Sequence, residues 1–402
     1  MRQHNQTRIS VVGMALAAAL ILSMGCRSLG APSPKKYNVV AYVAGYRNFD
    51  FSTIRADKIT HINYAFVNVV DGRVHFDASI DNTPLNKDDI AKLNALKRIN
   101  PDLKVLVSVG GWTWSGGFSD AALTAESRRK FAVSAADFVD AYDIDGIDLD
   151  WEYPNHPGAG NTYRPEDVRN FTLLLQAVRK ELNRLSAREK PRRHYLLTIA
   201  TGSSRHYVDN TELGELQRYL DFLNIMTYDF YHGGDHRTGH HSNFRSSSSP
   251  DRDKNSIVNA VDLHVKAGVP LRKINLGIPF YGRKWTGVKS GQNHGLFQEA
   301  ESVGEIVFYR QIVPCLRDSA YQQHWDEAAQ APYLWNPEEA TFISYENARS
   351  MAAKVRYLKE QGLGGVMFWE YSDDYQGELL DALDQALVGE SDAVTSSEKT
   401  RE

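Results

Sequence analysis

The sequence predicts an α/β fold of the (β/α)8 type, a TIM barrel, carrying a small α+β insertion between its seventh and eighth strands. Three observations predict it: eight short β-branched or apolar runs, amphipathic stretches between most of them, and one long interval that breaks the alternation. The runs lie at 39–43, 59–66, 105–109, 146–149, 195–200, 222–226, 274–278 and 365–369. Between them, 128–142 places Phe131, Ala135, Phe138 and Val139 at helical spacing, and 168–185 does the same with Phe171, Leu174, Leu175 and Val178. A doubly wound open sheet alternates in the same way, so periodicity leaves both architectures open and the motifs decide for the barrel. The interval 283–345 is rich in Tyr, Trp and Gln and reads as the inserted domain. Its strand-like runs at 305–309 and 340–344 are expected to pair as an antiparallel sheet forming one wall of a cleft. The barrel then spans 37–282 and 346–388.

The 402 residues are 42% hydrophobic and 24% charged, which excludes a largely disordered, collagen-like or polytopic membrane protein. A formal charge of −4 provides no broad cationic field, so no nucleic-acid partner is expected and an uncharged ligand fits better. At the N-terminus, Arg2 and Arg8 precede an apolar run at 11–24, the pattern of an export signal over 1–26. Cys26 follows Gly25 where a bacterial lipoprotein signal places its lipidated cysteine, although Ser23 departs from that pattern. A lipid tether through Cys26 to an envelope membrane and simple cleavage with secretion both stay open. Residues 27–36 read as a linker and 389–402 as a polar tail. Cys315, the only other cysteine, is expected to be a buried small hydrophobe outside any disulfide, in a monomer.

The most informative segment is Asp145-Gly146-Ile147-Asp148-Leu149-Asp150-Trp151-Glu152-Tyr153-Pro154. Strand side chains alternate, so Asp148, Asp150 and Glu152 share one side while Ile147, Leu149 and Trp151 share the other. In a parallel barrel the helix-facing side must be apolar, which turns the acids inward near the C-terminal mouth. Carboxyls at two-residue spacing are ~7 Å apart at Cα, and like charges that close do not all ionise. A shared proton keeps one member protonated near neutral pH, as a general acid requires. A solvated acidic strand end or a cation loop would not need the strict alternation or the flanking Ile, Leu and Trp.

This segment resembles the DxxDxDxE signature of family 18 glycoside hydrolases, and the following Tyr153-Pro154 resembles their chitinase branch. Ser108-Val109-Gly110-Gly111 is similar to the family's SxGG, Met226-Thr227-Tyr228-Asp229 to its MTYD, and Gly364-Gly365-Val366-Met367-Phe368-Trp369 to its last strand. The resemblance covers 37–387, including an insertion before the eighth strand; Glu346 departs from it, standing where many relatives carry Asp. It implies retaining, substrate-assisted cleavage of β-1,4 links in chitin or chitooligosaccharides, with no cofactor and no metal. Glu152 would be the catalytic acid. Asp150 would hold the substrate's acetamido N–H, Asp148 would share its proton, and Tyr228 would donate to the acetamido carbonyl. Asp145 would be structural. Asp229 and Met226 would meet the sugar, Trp369 would floor the site, and Trp112 would line a neighbouring subsite. Tyr42, Phe66, Tyr153 and Tyr281 fall at strand ends where relatives carry sugar contacts. Gly110 and Gly111 would act by permitting a tight bend and close packing.

His232, His236, His240 and His241 cluster after the sixth strand, but their loop offers no helical frame to converge the imidazoles, so no metal site is expected there. Two alternatives remain: a catalytically silent chitin-binding lectin, and a family 18 endo-N-acetylglucosaminidase acting on N-glycan cores or another N-acetylglucosamine polymer. Survival of all three acids argues against the first. Trp151-Glu152-Tyr153-Pro154 and the insertion argue against the second.

Overall fold

A computed structural model describes residues 36–47, 49–76, 87–247, 255–289 and 293–389. The signal and lipidation expectations, with most of the linker and tail, lie outside them. In chain order the strands are β1 (Asn38–Ala44), β2 (His61–Val70), β3 (Arg73–His75), β4 (Lys104–Gly110), β5 (Gly146–Asp150), β6 (Leu196–Gly202), β7 (Phe222–Met226), β8 (Ile274–Pro279), β9 (Tyr281–Trp285), β10 (Glu305–Phe308), β11 (Gln322–Asp326), β12 (Ala331–Asn336), β13 (Thr341–Ser344) and β14 (Gly365–Trp369). Eight of them form a closed parallel barrel in the order β1-β14-β8-β7-β6-β5-β4-β2, with β1 pairing back to β2 and β3 hairpinned onto β2. All eight apolar runs of the sequence become barrel strands.

Alternation decides the two faces. Val39, Ala41, Ile147, Leu149, Val366 and Phe368 point outward into the main core beneath the helices, whereas Val40, Tyr42, Ala65, Phe222 and Met367 form a separate inner cluster. The helices Ala125–Ala141 and Asp167–Ser186 bury the apolar stripes seen in the sequence, including Phe131, Val139, Phe171 and Leu174. Trp151 continues the outward set past the end of β5. It is 1% exposed, stacked on Phe118 at 5.4 Å and edge-on to Phe171 at 5.3 Å. Burying a ring of that size is worth about 4–6 kcal/mol, so Trp151 anchors the chain on the side opposite the acids.

The antiparallel sheet between the seventh and eighth barrel strands has the order β10-β9-β13-β12-β11, and its own apolar cluster contains Trp285, Phe297, Tyr333, Trp335 and Phe342. The two runs expected to pair with each other do not: β10 and β13 each pair with β9, which lies between them. β8 runs into β9 with only Phe280 intervening, and this strand entering from the barrel is the one that both runs pair with. Cys315 is half-buried rather than buried, on the helix Tyr309–Arg317, where an outward face of a small insertion leaves it at the edge of the core.

Candidate active site

Parallel register brings the site together. Ser108 on β4, Asp148 on β5 and Thr198 on β6 are consecutive partners across the sheet, so their side chains share one inner layer. Asp148 is fully buried. Its Oδ1 accepts from the Thr198 hydroxyl at 2.5 Å, and its Oδ2 accepts from the Tyr42 hydroxyl at 2.7 Å and from Ser108 at 2.8 Å. Burial still dominates and holds the Asp148 carboxyl above the ordinary range, the three donors pulling it back only in part.

Asp150 is one layer nearer the mouth and 4% exposed; its Oδ1 has no hydrogen-bond partner. Burial first, then the charges of Glu152 and Asp148, raise Asp150 well above a normal carboxyl. Glu152 sits two residues further, past the end of β5, yet stays buried at 8% exposure. Burial lifts it to about 7, opposed by a hydrogen bond from the Tyr153 hydroxyl and assisted by the charge of Asp229. The three acids therefore form a buried column of raised carboxyls that rises from the barrel interior.

Tyr228 is partly exposed at the end of β7, and burial together with the charges of Asp150 and Glu152 keeps its hydroxyl protonated. A donor thus faces the acid column. Asp229, next in sequence, is held below the ordinary carboxyl range: burial raises it, but His241 and Arg283 outweigh that. Arg283 Nε donates to Asp229 Oδ1 at 2.9 Å, and Nη2 lies 2.8 Å from the same oxygen. Trp369 lies at the mouth with its ring stacked on Phe66 at 5.3 Å and 16°, and tilted against Tyr42 at 5.8 Å. Met226, Tyr228, Phe66 and Trp369 all border the inner cluster as partly exposed side chains. Trp112 is 53% exposed and edge-on to Tyr153 at 6.3 Å.

Two expected sugar contacts lie deep in the site. Tyr42 is 2% exposed, its hydroxyl engaged by Asp148; Tyr281 is 4% exposed, wedged between Tyr228 at 6.1 Å and His241 at 5.4 Å with its hydroxyl bonded to Asp229. Both are about as buried as Asp150 and more so than the partly exposed Phe66, Met226 and Trp369. Gly111 contributes space: its φ is +82°, and a Cβ there would lie 2.6 Å from the Phe66 ring. Asp145, at the opposite end of β5, is an anchor, taking Lys97 at 2.7 Å, Arg193 at 2.7 Å and the Val105 N–H at 2.8 Å.

Three of the four loop histidines take separate partners: His240 pairs with Asp326 at 3.2 Å, His241 faces Asp229 at 3.9 Å, and His232 accepts the Gly234 N–H at 3.0 Å. Among the described residues no group of three or more His, Cys, Asp or Glu is placed to hold a metal ion. Glu346 is buried in an ion pair with Lys354, whose ammonium also donates to Ser242. Nothing local in the sequence marks Thr198, Ser115 or Arg283, and His241 stands out there only as one of four clustered histidines; the register and the loop returns bring all four residues to the acids.

The column of buried acids beneath an aromatic floor agrees with the comparisons. The model of Glycosyl hydrolases family 18 matches residues 38–374. The chain belongs to this family. Among family 18 relatives, chitinase A1 of Niallia circulans is 36% identical over 433 residues, covering 92% of this chain and 62% of that protein. The chain thus spans somewhat under two thirds of that relative's length. Chitinase 1 of Aphanocladium album is 34% identical, over 82% of this chain and 79% of the relative. A solved family 18 N-acetylglucosaminidase from Paenibacillus barengoltzii superposes with a TM-score of 0.79 at 42% identity, covering 87% of this chain and 99% of its own.

Proposed function

We propose that this chain is a retaining glycosidase that cleaves β-1,4 links between N-acetylglucosamine units of chitin or chitooligosaccharides, with the substrate's acetamido group as nucleophile. The observation that carries it is Glu152: a buried carboxyl lifted to about 7, beside an Asp150 that resists ionising with it. Glu152 transfers its proton to the glycosidic oxygen as the C1–O bond breaks, and the acetamido carbonyl oxygen bonds C1 from the opposite face, giving a cyclic oxazolinium. Asp150 accepts the acetamido N–H and balances the developing positive charge; Asp148 behind it keeps the pair's shared proton available. Tyr228 donates to the acetamido oxygen and orients it. Water then attacks C1, the C1–O bond to the acetamido group breaks, and the Glu152 carboxylate takes the water's proton, so configuration is retained overall. Asp229, fixed by Arg283, accepts from a sugar hydroxyl, and Trp369, propped by Phe66, stacks under the pyranose.

Glu152→Gln tests this: binding of chitohexaose should persist while hydrolysis is lost, and full hydrolysis by the variant overturns the mechanism. Intact acids weigh against a silent lectin. A second reading, release of single N-acetylglucosamine units, is supported by the 42% identity to the Paenibacillus barengoltzii N-acetylglucosaminidase. Product lengths from chitohexaose separate the two: monomer with pentamer as the first products supports the second reading, and dimer with tetramer, or trimers, supports the first. The pattern at 1–26 supports export, to the medium or to a lipid anchor at Cys26. Radiolabelled palmitate incorporated by wild type but not by Cys26→Ala would establish the anchor.

A further inference from the structure

Strand alternation would place Glu152 inward only if β5 reached it, but β5 ends at Asp150 and Glu152 lies beyond it. The register of β4 and β5 runs to Gly110 opposite Asp150, and the Gly111 N–H makes a last backbone bond to the Asp150 carbonyl at 2.8 Å. There β4 turns away, through positive φ at Gly110 (+103°) and Gly111 (+82°). The next group needing a partner is the Glu152 backbone N–H, which no strand remains to receive. Ser115 receives it. Its Oγ accepts the Glu152 N–H at 2.8 Å, and its own proton is directed to the Gly111 carbonyl at 2.8 Å, with the Asp150 carbonyl 3.1 Å away.

Ser115 is 1% exposed, so water is a poor substitute. It opens the turn Ser115–Gly117, which is wedged from both sides: a Cβ at Gly117 would stand 2.6 Å from the Val69 carbonyl oxygen, and Phe118 after it stacks on Trp151. The hydroxyl therefore stands on a rigid support and behaves as one more rung of the β4–β5 ladder.

We propose that Ser115 is a positioning residue for the catalytic acid: its hydroxyl replaces the missing strand acceptor and holds Glu152 on the inward face, in line with Asp148 and Asp150. The proposal rests on the reading of Glu152 as the acid. It acts through the backbone, so it predicts a loss in the chemical step with substrate binding kept.

The test compares wild type, Ser115→Ala, Ser115→Cys, Ser115→Thr and Glu152→Gln on chitohexaose, with kcat, KM, the pH profile of kcat/KM and melting temperature for each. Ser115→Ala should lower kcat about 10- to 100-fold with KM within about twofold, the scale of a misplaced catalytic group. Its alkaline limb should move to lower pH by about half a unit or more, because a released Glu152 gains solvent and loses the burial that raises it. Ser115→Cys keeps the packing with a weak acceptor and should show the same direction if the alanine variant does not fold; Ser115→Thr keeps the oxygen and should recover most of kcat. A lower melting temperature with wild-type kcat and pH profile in the Ala or Cys variant makes Ser115 merely structural and overturns the proposal. If those variants are impaired but Glu152→Gln is fully active, the reading of the acid has failed and the proposal falls with it.

Discussion

The two ends of one strand treat their carboxylates in opposite ways. At the foot of β5, Asp145 meets Lys97, Arg193 and a backbone N–H, and those partners outweigh the burial that opposes them, so it stays ionised below the ordinary range. At the mouth, Asp148, Asp150 and Glu152 have burial and one another, with no cation paired to any of the three among the described residues, and all are raised. The difference teaches that sequence proximity fixes neither charge nor role. A carboxyl with cations is an anchor, and one surrounded by hydroxyls, apolar rings and other carboxyls is a proton store.

The strongest way to break the contrast is at the mouth. Glu152→Gln should reduce kcat about 100- to 10,000-fold with little change in KM, measured on chitohexaose; a loss below tenfold would remove the acid role. The same variant sharpens the comparison through stability. The folded-state value of Glu152 is raised from 4.5 to about 7, so the native state binds more protons than the unfolded chain between those values, and stability falls as pH rises through that window. Glu152→Gln should therefore be more stable than wild type at pH 8, by up to about 3 kcal/mol of unfolding free energy and with a higher melting temperature, the gap closing near pH 4. Equal melting temperatures at pH 8 would contradict the raised value.

The foot of the strand should respond the other way. Asp145→Ala strips the acceptor from a buried Val105 N–H and from two cations, and should cost about 2 kcal/mol in urea unfolding while kcat per folded molecule stays near wild type. Because its folded value is lowered, the stabilisation from Asp145 is present above the ordinary carboxyl range and is lost on acidification below it, opposite in sign to Glu152. A catalytic defect at full foldedness would erase the distinction between the two ends. The smallest effect belongs to Tyr42→Phe, which removes one of the three donors to Asp148; kcat should fall about tenfold, or about 1.4 kcal/mol in the barrier, with KM unchanged. A large rise in KM would instead return Tyr42 to the sugar contacts.

Much of this was legible along the chain because it is local. The eight apolar runs, the helical stripes and the alternation through Asp148, Asp150 and Glu152 all depend on periods of two and 3.6 residues. The depth of Tyr42 and Tyr281 and the partners of their hydroxyls were not legible, because a position at the end or start of a strand does not say which side chains from other elements close over it. The order of the insertion sheet was hidden for a related reason: strand-like runs carry no label naming their partner, and β9 was masked by its continuity with β8.

By itself, then, the sequence determined the strand and helix runs, the inward face of Asp148 and Asp150 and the apolar flank opposite them, since each follows from short-range periodicity, while its motifs chose the barrel over the open sheet. The tertiary structure alone decided how each carboxyl is charged and which groups aim it. Lys97 and Arg193 at the foot, Thr198 and Ser108 around Asp148, Arg283 on Asp229 and Ser115 under Glu152 come from other strands and loops. Burial and hydrogen bonding act through space over a few ångströms, a distance that the order of residues along a chain does not record.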